Sequence, residues 1–429
     1  MIACGAASAA DGLLDSRFGN SGTLTVPIDK GTPFVDRVAD VLTARDGSLF
    51  IVGTVSLDAS TNRMAVMHLR ENGQLDTSYG NGGVLLLSNN ASARAAALDQ
   101  WGTSIYVAGM YKTSSHSYFY LCRTGALVKN WCAMVDILGA TPPAGSDWSR
   151  AEPHDVIVLP NGRIVVVGAV DITTPQARTI GLIVRFNSDG TIDTTFGDQG
   201  LRFLEPYGSS DKLEPYAVAT YTSPPTDLFV VGRHTSNGVT ASFMARVNYM
   251  FDFYINNCNS NADYCEFTDL IRTADDNYLA VGTRKTSGYL QGIAAKITPG
   301  LHVIDGWGGS NNMSILTAGT SVRLTRVLEQ SDGKFLAAGV HSANGTTQNV
   351  FVTRFKADGY QDDTAFHPAS GIADIDFLKE GSWDLDAAMT LQSGQPIIAA
   401  SVQRSGNNYD FGAARLQNDG IFRNGFELQ

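Results

Sequence analysis

The chain has 429 residues and carries 31 Lys+Arg against 42 Asp+Glu, for a formal net charge of −11. An acidic chain without Lys or Arg runs repels phosphate backbones, so nucleic acid is not an expected partner. No apolar run approaches the roughly 20 residues a membrane helix requires. The 44 glycines, beside 43% hydrophobic and only 17% charged residues, favour short strands and tight turns over long solvated helices.

Residues 1–10 read as a leader remnant or flexible tail, with Ala7-Ser8-Ala9 in the spacing of a signal cleavage site. The first structural loop is Asp11 to Gly22. Apolar segments follow at Leu24-Thr25-Val26, Val38 to Ala44 and Leu49 to Gly53, the last two separated by Asp46-Gly47. An Asp-Gly between apolar runs predicts a two-residue hairpin turn of type I′. A further strand, Met64 to Leu69, runs into Asn72 to Gly83, a second copy of the opening loop.

The same unit recurs. Its clearest copy spans Leu182 to Phe203: an apolar strand ending in Arg185, then Asn187-Ser188-Asp189-Gly190, Asp193, Phe196-Gly197 and Gly200. The segment Ser92 to Leu98 has helical propensity, yet it occupies the register of the β-branched run Asp155 to Leu159 and is predicted as strand. A marker residue closes the return strand of each unit, at Gly53, Gly109, Gly168, Gly232, Gly282, Gly339 and Ala400. Successive markers are 50 to 64 residues apart. A second series, His68, Arg185, Arg246, Lys296, Arg354 and Arg415 with Tyr120 as its exception, ends the third strands. Because it repeats with the fold, it reads as a partner for loop carboxylates or carbonyls. The middle strands are apolar at successive positions, so both faces of each small sheet need cover. Seven such units predict an all-β, seven-bladed β-propeller with antiparallel three- to four-stranded blades, one domain over 11–429.

The apolar-Arg strand, the Asp-Gly-x-Leu/Ile-Asp-x-x-Phe/Tyr-Gly-x-x-Gly loop and the Asp-Gly-Lys/Arg hairpin together resemble the delta-60 repeat of bacterial exported β-propeller-like proteins. The resemblance implies the fold and an exported bacterial setting, with no shared catalytic residues. At the end of the chain, about 419–429, Arg423 stands where the loop aspartate belongs and Glu427 where its glycine belongs. This stretch is either a half-repeat that helps close the ring or a tail resembling the Phe-x-x-Gly-Phe-Glu ends of some exported proteins.

Cys122 with Cys132 and Cys258 with Cys265 are disulfide candidates that would staple irregular loops in an oxidising compartment, leaving Cys4 over. The expected location is secreted, periplasmic or cell-surface. No cofactor motif, nucleophile elbow or phosphate loop is present; loop carboxylates such as Asp189, Asp193 and Asp198 offer oxygen ligands that calcium could use, but the stronger reading makes them turn formers. Residues just after the marker glycine should emerge on one rim, which nominates Arg233, His234, Arg284, Lys285 and His341 as ligand contacts. Trp148, Trp307 and Trp383 are candidates either for sugar stacking or for blade packing. The function expected is a monomeric, non-catalytic binding or scaffold module for a protein or glycan, through the rim or the central funnel. The alternative is a hydrolase or lyase whose site is in that funnel.

Overall fold

A computed structural model describes residues 11–418, except 29–34, 126–129, 138–146, 207, 209–210, 222–226, 248–250, 257, 259–263, 310–311, 343–347, 368–369, 378–386 and 406–407. The leader, Cys4, Trp383 and the 419–429 tail thus lie outside the described residues.

Among the described residues the strands pair into antiparallel four-strand meanders, here I (37–89), II (91–134), III (147–204), IV (212–256), V (264–316), VI (321–375) and VII (387–415 with 23–26). The ladders of IV, V and VI meet at single parallel bridges, Thr240 with Tyr264 and Leu290 with Ser321. The first strand of each meander touches the first strand of the next, and that of VII touches that of I. The strands therefore run in a closed circle.

The apolar pattern explains the circle. In III, Ile164 and Val166 enter a cluster shared with II, while Val165 and Val167 enter one shared with IV. A strand apolar at every position has to be covered on both faces, and here neighbouring sheets do it. Among the described residues a buried cluster fills each gap between neighbouring sheets, including the gap between VII and I. Ala91–Leu98 is a strand, so repeat register overrode its helical propensity. Trp148 and Trp307 are buried and belong to the packing.

The hairpins depart from expectation. At Asp46-Gly47, Asn161-Gly162 and Asp332-Gly333 only the glycine has positive φ. Gly47 N–H donates to the Ala44 carbonyl and Ala44 N–H to the Ser48 carbonyl. That is a type I turn followed by a left-handed glycine, not a two-residue type I′ turn. Two-residue turns with both φ values positive occur instead at Asn237-Gly238, Ser287-Gly288 and Ser393-Gly394.

The repeating basic residue holds the loop. His68, Arg185 and Arg354 each bind the aspartate eight positions on, at 3.1, 2.7 and 2.9 Å for Asp76, Asp193 and Asp362. Arg246 and Lys296 bind hairpin aspartates Asp227 and Asp275. Eight beyond Arg415 is Arg423, and the missing carboxylate comes from the opposite end of the chain: Asp15 binds Arg415 at 3.0 Å. Thr23–Val26 then pairs with Phe411–Ala414 and completes VII. The opening loop, Asp11 to Gly22, is thus the final loop of the last repeat. Each loop is also locked to its neighbour. A Cβ on Gly190 would meet Trp131 at 2.7 Å, one on Gly359 would meet Trp307 at 2.7 Å, and one on Gly73 would meet Phe18 at 2.8 Å. In each case an aromatic from the preceding repeat sits against the glycine.

Both cysteine pairs form disulfides. Cys122 and Cys132 face each other on adjacent strands of II, so this bridge staples a ladder rather than an irregular loop. Cys258–Cys265 links the end of IV to the first strand of V. Replacing both Cys122 and Cys132 by serine is expected to lower stability by about 2–3 kcal/mol, given so short a closed loop. Urea unfolding of the double variant against wild type measures it, and an unchanged midpoint would contradict the expectation.

Candidate functional site: a central cavity ringed by bulged residues

Among the described residues the first strands of I to VI carry the same irregularity. Pairing to the return strand skips one residue: Ala39, Arg94, His154, Tyr216, Thr268 and Thr325 in I to VI. A bulge leaves its extra residue unpaired and re-aims it. All six line one central cavity of about 1380 Å³.

The marker glycines exist to permit this. A Cβ on Gly53, Gly109, Gly168, Gly232, Gly282 or Gly339 would fall on the backbone carbonyl oxygen of Arg37, Ser92, Glu152, Glu214, Glu266 or Arg323, respectively. The bulge pushes that carbonyl across the ladder, and only glycine leaves room. In VII the described pairing is regular, Ala387 with Ala400 and Ala388 with Ala399, and there alanine stands at the marker.

Each bulge sets two side chains, the extra residue and the one two positions before it. In III these are Glu152 and His154. The Glu152 carboxylate accepts from Arg94 Nε at 2.6 Å and Arg150 Nη1 at 2.8 Å. Burial alone would raise its pKa; the charge and hydrogen bond of Arg94 and the charge of Arg150 outweigh that and hold it below the usual range. His154 Nδ1 donates to the Pro215 carbonyl at 2.6 Å, which leaves Nε2 as the acceptor nitrogen of a neutral ring. Burial pushes its pKa down. In IV and V, Arg233 Nε donates to Glu214 at 2.6 Å and Arg233 Nη1 lies 3.6 Å from Glu266. The Arg233 guanidinium lies 5.5 Å from the Tyr216 ring, and Glu266 and Arg233 are the charged neighbours of the Tyr264 hydroxyl. Burial raises the Glu266 carboxyl, against the opposing pull of Tyr264 and Arg233.

One step deeper lie three aspartates. Asp40, Asp155 and Asp269 accept backbone N–H groups from the following strand, from Ala96, Val218 and Val327 at 3.0, 2.9 and 2.7 Å. They pin I to II, III to IV and V to VI, and Arg326 approaches Asp40 at 3.9 Å. Burial pushes Asp155 up to about 7, with the charge of Asp269 adding to it.

Of the five residues nominated from sequence, Arg233 lines the cavity. His234 is buried against Asp211 at 3.2 Å and His341 against Asp374 at 2.6 Å. Arg284 is buried and donates to Gln291 at 2.8 Å, whereas Lys285 is exposed. The cavity-facing residues that sequence reasoning missed lie on the partner strand, fourteen to eighteen residues before each marker glycine. A signal was present: Glu152-Pro153-His154-Asp155 sets three polar side chains immediately before the apolar run Val156 to Leu159. Among the described residues no group of three or more His, Cys, Asp or Glu could hold a metal ion.

Two stretches of the chain, 44–79 and 159–196, match a family described as "Domain of unknown function (DUF5122) beta-propeller". The chain is a β-propeller. Each matched stretch runs from a first-strand hairpin to the aromatic of the loop, so what is shared is the repeat grammar that builds a blade. No curated protein matches the sequence. Among solved structures, a protein of unknown function from Dyadobacter fermentans is 12% identical with a TM-score of 0.47, covering 92% of this chain and 99% of that one. The sialidase of Trypanosoma rangeli bound to 2,3-difluorosialic acid is 10% identical with a TM-score of 0.44, covering 92% of this propeller and 59% of that chain. A polysaccharide lyase, an ulvan lyase, is 8% identical with a TM-score of 0.46, covering 95% and 94%. Among the described residues of the propeller no helix is long and apolar enough to cross a membrane, and the two disulfides are compatible with an extracellular location.

Proposed function

We propose that the protein is an exported, seven-bladed, non-catalytic binding module that holds a glycan in its central cavity. One observation supports this above the others. Among the described residues the lining is hydroxyl-, amide- and charge-rich, with Ser56, Asn62, Asn90, Ser92 and Thr268 among it, and includes no Leu, Ile, Phe or Trp. A protein partner is usually anchored by large apolar or aromatic side chains in matching pockets, and such a lining offers none. Sugar hydroxyls need many polar partners and one flat ring, and Tyr216 and Tyr264 supply the rings.

A glycan array probed with the purified protein tests this. Selective saccharide binding, weakened about tenfold by Tyr216→Ala, is the expected result. Binding that the substitution leaves unchanged, or no saccharide bound at all, would defeat the proposal.

A second reading, a hydrolase or lyase, draws on Glu152, His154 and Glu266 lining the same cavity. It favours His154 Nε2 as a base and Glu266 as an acid. Mass spectrometry of the bound oligosaccharide after long incubation separates the two. Intact ligand supports the binding module; cleavage abolished by His154→Gln supports the enzyme.

A further inference from the structure

We infer that the ligand of this cavity is an acidic saccharide, its carboxylates read by arginines that the fold presents charge-first. The inference rests on the cavity reading above and adds the ligand class. Its basis is the orientation of the ion pairs. Arg94 is 37% exposed where its partner Glu152 is 14%; Arg233 is 32% exposed where Glu214 and Glu266 are 8% and 7%; Arg326 is 26% exposed where Asp40 is 13%. In each of these pairs the guanidinium lines the cavity and is the more exposed partner; Glu214 and Asp40 lie outside the lining, while Glu152 and Glu266 reach the wall less exposed than their arginines.

This layering has a chemical consequence. A guanidinium carries five N–H donors in a fixed fork. When one edge is tied to a carboxylate at its back, the remaining edge points forward without further loss of side-chain freedom, which preorganises it for a planar anion. Arg323 goes further. It lines the cavity, feels the charge of Glu266, and its guanidinium makes no hydrogen bond to a described residue. Lys112, exposed at the same cavity, adds a mobile charge at its edge. All this occurs on a chain of net charge −11, whose remaining surface repels anions. The polar lining and the two tyrosines favour a saccharide over an acidic peptide, whose side chains would find no apolar seat.

The test uses the full-length protein and three probes: an oligogalacturonate, its methyl ester, and an oligoglutamate of similar length, each titrated by calorimetry. The oligogalacturonate is expected to bind at least about tenfold more tightly than the ester, and more weakly as salt rises from roughly 50 to 300 mM. Arg323→Gln should remove about tenfold of the acid's affinity and leave the ester's unchanged; Lys112→Gln, at an exposed site, reads the same effect should the arginine variant fail to fold. Equal or tighter binding of the ester would overturn the charge inference and leave the glycan cavity standing. Oligoglutamate binding as tightly as the oligogalacturonate would overturn the saccharide class. Failure of both saccharides to bind, together with a blank glycan array, would remove the cavity reading itself.

Discussion

Replacing Gly282 by alanine is expected to lower the unfolding free energy by about 3 kcal/mol and to abolish ligand binding in the molecules that remain folded. The new Cβ would fall on the Glu266 carbonyl oxygen and lie 2.8 Å from Phe267 Cα. Both obstacles are backbone, so no rotamer change relieves them. The strand can make room only by straightening its bulge. That would carry Glu266 and Thr268, two residues of the cavity wall, out of position. Gly162→Ala is the matched control. Nothing lies within 4 Å of its Cβ, and its only penalty is a φ of +79°, worth about 1 kcal/mol. Urea unfolding of both variants decides the matter. A Gly282 variant no less stable than the Gly162 variant would show that the glycine does not serve the bulge. Ala400 already points the same way, since alanine occupies the marker where the described pairing has no bulge.

The repeat was legible because its constraints are local. Asp189, Gly190, Asp193 and Phe196 lie within eight residues of one another, and each has a partner in its own repeat or the one before it. Thr191 binds Asp189, Arg185 binds Asp193, and Gly190 lies under Trp131. Sequence order therefore carried the blade, its strands and the role of the basic series. The cavity was less legible, because a bulge is a relation between two strands and leaves no mark on the strand that contains it except a disturbed alternation. The glycine was visible, but the residue it makes room for sits across the ladder. Reading outward from the glycine along its own strand led to Arg233, which faces the cavity, and equally to His234, Arg284 and His341, which serve the packing. Pairing the glycine with its partner strand would have led to Glu152 and His154. Turn geometry failed for a related reason. Asp-Gly is compatible with two turn families, and the choice between them depends on how the two strands twist against their neighbours.

Closure shows the other limit of local reading. Arg423 occupies the position that an aspartate should hold, and the carboxylate that serves Arg415 is 400 residues away. Asp15→Asn is expected to cost about 3–5 kcal/mol at neutral pH, the range for breaking a buried pair by removing one charge. Asp15 is 1% exposed. Its Oδ1 accepts from Arg17 and its Oδ2 accepts from Arg415 at 3.0 Å and Gln395 at 3.1 Å. An asparagine would turn an amide donor toward one of those pairs and leave Arg415 buried without its counter-charge.

The pH profile carries the same signature. Burial alone would raise the Asp15 carboxyl, but the Arg17 hydrogen bonds, the Arg415 charge and Gln395 outweigh it and hold the pKa to about 2. A folded pKa below the unfolded value of about 3.9 means that the stabilisation is complete above about pH 4 and is lost as pH falls through 2, a span worth about 2–3 kcal/mol. Asp155 works in the opposite sense. Its folded pKa of about 7 makes its contribution complete below about pH 4 and lost as pH rises through 7. The wild-type profile mixes the two, so the informative quantity is the difference between wild type and Asp15→Asn. That difference should be largest above pH 4 and shrink toward pH 2, measured by urea unfolding at each pH. A constant difference across the range would show that Asp15 contributes by packing alone, and that the charge supplied by the N-terminal loop does not hold the last blade closed.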